Sequence, residues 1–214
     1  MKKYAIALII PAILVGCGLP KSLRTPGKID SSVLAISIKT ITLKVFKNRQ
    51  DTVYFVKLDD KDENLLGVKL IPSNYTRGDY AYLVNAEPGR YAAVASFFQQ
   101  TDNSYNSFFD LNTIQNTITV VGPGQIAYMG SITVDNQLKN IYNNVEQNGD
   151  KAQLHYYALL KSFIYGTHYC GSLNKADRSE QPEKEFLIKT RDYFKDTDWL
   201  KMINERLKIM EKTP

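Results

Sequence analysis

The chain reads as an α+β protein: an antiparallel β-sandwich of about seven strands followed by a helical C-terminal segment. Two observations predict this. From Val33 to Val134 apolar residues recur with a period of two, and turn signals separate the runs. After Asp135 the period changes to that of a helix, and no strand–helix alternation marks a parallel sheet. The sandwich is assigned to 33–134 and the helical region, packed on it, to 135–214.

The strands follow in order. Ile36 and Ile38 alternate with polar neighbours, and Ile41, Leu43 and Val45 continue in the opposite phase, as a bulge or bend produces. Asn48 to Asp51 form a turn before Val53–Leu58, a central strand. Asp59–Asn64 is an acidic loop, and Leu65–Ile71 is a further strand stopped by Pro72. Asp79–Val84 alternates and breaks at Glu87-Pro88-Gly89-Arg90, and Tyr91–Phe98 follows as the next strand. Gln99–Ser107 is polar and reads as a long loop. Ile118–Val121 and Ile126–Val134 flank the turn Gly122-Pro123-Gly124.

The helical region opens on the Asn-rich stretch Asn136–Asp150. In Lys151–Tyr165, Leu154, Tyr157, Ala158, Lys161 and Ile164 fit helical spacing. Gly166–Gln181 is polar and irregular. Pro182 suits the first turn of a helix over Glu183–Phe194, and Thr197 suits the cap of the last helix, with Asp198 near its positive end. In that helix Trp199, Met202, Ile203, Arg206, Leu207 and Met210 form one stripe opposite Lys201, Glu205 and Lys208. Such a stripe must be covered, and the open face or edge of the sheet is the expected cover.

The N-terminus has its own logic. Lys2 and Lys3 precede an apolar run from Tyr4 to Val15, and small Gly16 precedes Cys17. These are the charged, apolar and cleavage regions of an export signal. The apolar run rises only ~18 Å as a helix, against a ~30 Å bilayer core, and Pro11 interrupts it. Gly18 to about Ser32 is rich in Gly, Pro, Ser, Thr and Lys and reads as a flexible leash. Lys21, Arg24 and Lys28 within it either touch anionic head groups or are simply solvated.

Leu14-Val15-Gly16-Cys17 resembles the lipobox of bacterial lipoproteins. The resemblance implies a signal peptide over 1–16, cleavage between Gly16 and Cys17, and a diacylglyceryl thioether on Cys17. It further implies three acyl chains on the mature N-terminus and a membrane-anchored protein of the cell envelope. Gly18, where enteric lipoproteins retained at the inner membrane carry aspartate, resembles the outer-membrane sorting pattern. Tyr82–Val84 through Pro88-Gly89-Arg90-Tyr91 is similar to a hairpin of prealbumin-like or carboxypeptidase-regulatory-like β-sandwich modules. Pro123 to Gly130 is similar to the closing strand of envelope lipoproteins of that kind.

Charge and chemistry narrow the function. The chain has 27 basic and 22 acidic residues and no dense basic run, so nucleic acid is not an expected partner. Of two cysteines, Cys17 is expected to be acylated, which leaves Cys170 without an intramolecular partner and excludes a disulfide scaffold. Asp60–Asn64 begins like a calcium loop, but Leu65 and Ile71 stand where such a loop needs Gly and Glu. His155, His168 and Cys170 make a thin set for a nucleophile or a metal, and Cys170 reads as a small semi-buried side chain. No nucleophile elbow, P-loop or dinucleotide fingerprint appears. No catalytic, cofactor-binding or metal-ligating residue is therefore assigned.

The expected function is binding of another envelope component by a lipid-anchored module, through Tyr-rich strand edges. The alternative is an envelope hydrolase or transferase at the sandwich–helix junction, using His155, His168 or acidic loop residues. Surface adhesion to a host or ligand is a third reading that the sequence does not separate from the first.

Overall fold

The computed structural model describes residues 19–42, 45–47, 50–59, 65–100 and 103–212. Its centre is one mixed sheet of eleven strands, not an antiparallel seven-stranded sandwich. In chain order these are β1 (Ser32–Thr42), β2 (Val45–Lys47), β3 (Thr52–Leu58), β4 (Lys69–Pro72), β5 (Tyr75–Arg77), β6 (Tyr80–Ala86), β7 (Gly89–Gln100) and β8 (Asn103–Phe109). Then come β9 (Thr119–Val121), β10 (Ile126–Gln137) and β11 (Thr167–Asp177). Five α-helices occur among the described residues: α1 (Leu111–Thr117), α2 (Ile141–Asn148), α3 (Lys151–Leu160), α4 (Glu180–Tyr193) and α5 (Leu200–Lys212).

The sheet runs β4-β3-β7-β8-β11-β10-β1-β6-β5, with β2 on β1 and β9 on β7. β1 pairs β10 in parallel, and so does β11 with β8. Two expectations fall with this order. β6 and β7 are not a hairpin: Glu87-Pro88 carries the chain from the β1 side of the sheet to the β3 side. Gly122–Gly124 does form a turn between β9 and β10, but β9 pairs β7 whereas β10 pairs β1 and β11. The irregular polar stretch after Gly166 is β11, which lies between β8 and β10, so 135–214 contributes a central strand as well as helices. The expected loop over Gln99–Ser107 is instead largely strand, with β7 ending at Gln100 and β8 opening at Asn103.

The sheet is curled into a half-barrel. Leu34, Ile36 and Ile38 of β1 share one cluster with Val53 and Phe55 of β3, a strand far from β1 in the sheet, so this face is concave. Ile114 of α1 and Tyr156 of α3 complete that interior. The convex face is covered twice. Val33, Ala35, Tyr82 and Ile126 lie under Phe186, Trp199, Ile203 and Leu207 of the α4–α5 pair. Ala95, Phe108 and Cys170 lie under Ile141, Val145 and Leu160 of α2 and α3. Val33 to Ile36 of β1 are apolar on both faces because both are buried there, which removes the period of two over that stretch.

The two ends of the strand order are adjacent in sequence. Only Ser73 and Asn74 separate β4 from β5. Ser73 N–H donates to Val53 O (2.7 Å), and Val53 N–H donates to Ser73 Oγ (3.0 Å). Asn74 N–H donates to Tyr82 O (3.0 Å), while its side chain donates to Val84 O (2.7 Å) and accepts from Val84 N–H (2.8 Å). Two residues thus stitch β3 to β6 and hold the curl.

Local signals set the helices. Asp110 Oδ1 accepts from Thr113 N–H, capping α1, and Asn140 caps α2 in the same manner. Asp150 caps α3 through Gln153 N–H and also accepts from Leu111 N–H, tying α3 to the start of α1. α4 begins at Glu180, earlier than expected, with Pro182 still in its first turn. Thr197 does not cap α5: its hydroxyl donates to Phe194 O (2.7 Å) at the end of α4.

Candidate functional sites

Cys17 and Gly16 lie outside the described residues, as does acidic-loop segment 60–64. His155 sits on α3 with Nε2 3.2 Å from Gly67 O and its ring edge-on to Tyr156. His168, on the convex face of β11, packs against Phe108 and Tyr157, and its Nε2 is buried without a partner among the described residues. Cys170 is 1 % exposed, with Sγ 3.9 Å from Lys139 O. Burial pushes its thiol above the ordinary range, so it stays protonated and weakly nucleophilic. No hydrogen bond joins any two of His155, His168 and Cys170 among the described residues, and none of these residues forms a metal-binding group there.

The described residues instead converge on a pit of about 250 Å³ on the convex face, beyond the edge of the α4 cover. Its origin is one residue. Between β1 and β10 the register slips: Ala35 faces Tyr128, but Ser37 faces Ser131. The extra length falls at Met129-Gly130, and Gly130 has φ +112°, a conformation side chains rarely adopt. Strict alternation would put Tyr128 and Ser131 on opposite faces. The bulge returns both to the convex face, where they line the pit with Ser37, Thr133 and Tyr80.

Ammonium groups surround this floor. Lys39 comes from β1, Lys175 from β11 and Lys189 from α4, and none makes an ion pair among the described residues. Lys189 Nζ lies 5.8 Å from the Tyr80 ring centroid. Of the acidic lining residues, Asp177 is engaged by the N–H and hydroxyl of Ser179 (3.1 and 2.6 Å), which hold its carboxyl below the usual range. Asp79 and Glu185 also line the pit, Glu185 one turn before Lys189 on α4.

Burial, joined by the nearby Asp79 charge, raises the Tyr80 phenol to about 12, and burial beside Tyr80 and Asp177 pushes Tyr128 higher still. Both therefore remain hydrogen-bond donors at neutral pH. Tyr128 stacks on Phe186 (4.5 Å, 9°), which fixes its ring. Hydroxyl, phenol and ammonium donors gathered in one place suit an oxyanion such as a carboxylate or phosphate.

Sequence reading missed this site. Ser37 and Lys39, like Ser131 and Thr133, stand at alternate positions and so mark a polar strand face. Nothing local shows that the four meet, because β1 and β10 are joined by a parallel pairing across nearly a hundred residues.

A second pit, of about 520 Å³, lies where the N-terminal segment meets the α4–α5 corner, lined by Lys21, Arg24, Thr25, Asp196, Thr197 and Asp198. Comparison with known protein families, curated proteins and solved structures finds no match to this chain.

Proposed function

We propose that this chain is a lipid-anchored protein of the bacterial cell envelope, acylated at Cys17 after cleavage behind Gly16, that binds another envelope component bearing an acidic group. Outer-membrane sorting is part of the proposal and rests on Gly18. Support for the anchor is the order of Lys2-Lys3, a short apolar run and Leu14-Val15-Gly16-Cys17. The observation that carries the binding role is the convergence of Lys39, Lys175 and Lys189, without ion pairs among the described residues, on the Ser37–Tyr80–Tyr128–Ser131 floor. The pit holds hydrogen-bond donors rather than an activated nucleophile, which suits recognition more than bond breaking.

Two experiments test the two halves. Metabolic labelling with a fatty acid should mark the parent and not Cys17→Ser; equal labelling of both overturns the anchor. Crosslinking in intact cells followed by pull-down should recover a partner with the parent and lose it with Lys39→Ala/Lys175→Ala. Recovery unchanged by that double substitution removes the pit from the account.

A further inference from the structure

We propose that the folded body rests directly on the bilayer, with the face made by Lys21, Arg24 and the α4–α5 corner set among zwitterionic phospholipid head groups. The proposal rests on the acylation of Cys17 put forward above. Its basis is how soon the fold begins after that residue. Leu19 is 3 % exposed and belongs to the cluster beneath α4 and α5. Arg24 Nε donates to Leu19 O (3.1 Å), Trp199 Nε1 donates to Leu23 O (2.7 Å), and Asp198 N–H donates to Arg24 O (3.0 Å). The segment from Leu19 to Arg24 is thereby fixed to the start of α5.

Two Cα–Cα steps separate Cys17 from Leu19, a reach below about 8 Å even when fully extended. Acyl chains attached at Cys17 enter the hydrocarbon there, so the surface around Leu19 falls within the head-group layer. A leash able to hold the body clear of the membrane has no length left in which to exist.

The chemistry of that surface matches its neighbour. The pit beside the segment presents Lys21 and Arg24 together with Asp196 and Asp198. Two cations and two carboxylates complement a head group that carries both a phosphate and an ammonium. A purely anionic surface would engage only half of them.

Trp199 is the single tryptophan of the chain and is bonded to the seated segment, so its fluorescence reports on this face alone. The acylated mature protein, beginning at Cys17, is placed in phosphatidylcholine vesicles with and without lipid spin-labelled at the head group. Trp199 emission should be quenched by the labelled vesicles. A long Gly-Ser insertion between Gly18 and Leu19 should abolish the quenching while leaving fatty-acid labelling intact. A parent that takes up fatty acid and binds vesicles but shows no quenching overturns the seating and leaves acylation standing. A parent that takes up no fatty acid overturns acylation itself, and the seating with it.

Discussion

The indole N–H of Trp199 donates to the carbonyl of Leu23, 176 residues earlier in the chain, at 2.7 Å. This bond and the neighbouring Asp198–Arg24 bond make the first described residues part of the body that α4 and α5 build on the sheet. Trp199→Phe retains most of the buried ring and removes the donor. It should cost about 1 kcal/mol and speed tryptic cleavage after Lys21 and Arg24. Cleavage at the parental rate would show that the segment is held by other contacts.

Asn74 is expected to be the costliest polar residue of the stitch between β4 and β5. Its amide satisfies both backbone groups of Val84. Asn74→Ala leaves those groups unpaired, for a loss of about 2 kcal/mol. In a chain of this size the midpoint should fall by roughly 4–8 °C, read by thermal circular dichroism. A fall below one degree would mean that the curl does not depend on this clasp.

Gly130 links fold to site. A Cβ there would lie 2.7 Å from Arg178 Cγ and 3.0 Å from the Asp177 carbonyl oxygen, at a φ of +112°. Gly130→Ala should destabilise by about 1–3 kcal/mol and reduce partner capture beyond that loss, because Tyr128 and Ser131 no longer share a face. Gly124→Ala, at φ +63° with open space around it, supplies the comparison: backbone strain without disturbance of the pit.

Alkaline pH should unfold the protein. Burial raises Tyr80 and Tyr91 to about 12 and Tyr82 well above its ordinary value of 10. Above pH 10 the unfolded chain releases these protons while the folded chain keeps them, so stability falls as pH rises. It is fully present below pH 10 and is lost through about pH 12. Denaturant midpoints at pH 8, 10 and 11 should therefore decline slightly over the first interval and steeply over the last. Tyr82→Phe should flatten that decline, and should cost about 1 kcal/mol at neutral pH by leaving Thr190 Oγ1 without its 2.9 Å partner.

Local signals made several elements legible. Val53–Leu58, Tyr91–Phe98 and Ile126–Val134 lie within β3, β7 and β10, because apolar and aromatic runs bounded by turn residues mark strands, including β7, which is buried on both faces from Tyr91 to Ser96. The stripe of Ile203, Leu207 and Met210 is buried in α5. β11 escaped notice because its side chains carry no apolar period. Gly171 offers no side chain at all, and the Ser107 hydroxyl donates to Asn136 Oδ1 across the space it leaves (2.6 Å).

The sequence alone determined that strands form at β3, β7 and β10, and that one stripe of α5 turns inward, since periodicity and turn signals are properties of neighbours along the chain. Only the tertiary structure decided that β1 lies beside β10 in parallel, that β11 enters between β8 and β10, and that Gly130 bulges. Pairing is chosen by backbone hydrogen bonds, which are alike for every residue, and by packing between residues far apart in the chain. No short stretch of sequence carries that information, so a pit assembled from β1, β6, β10, β11 and α4 has no linear signature.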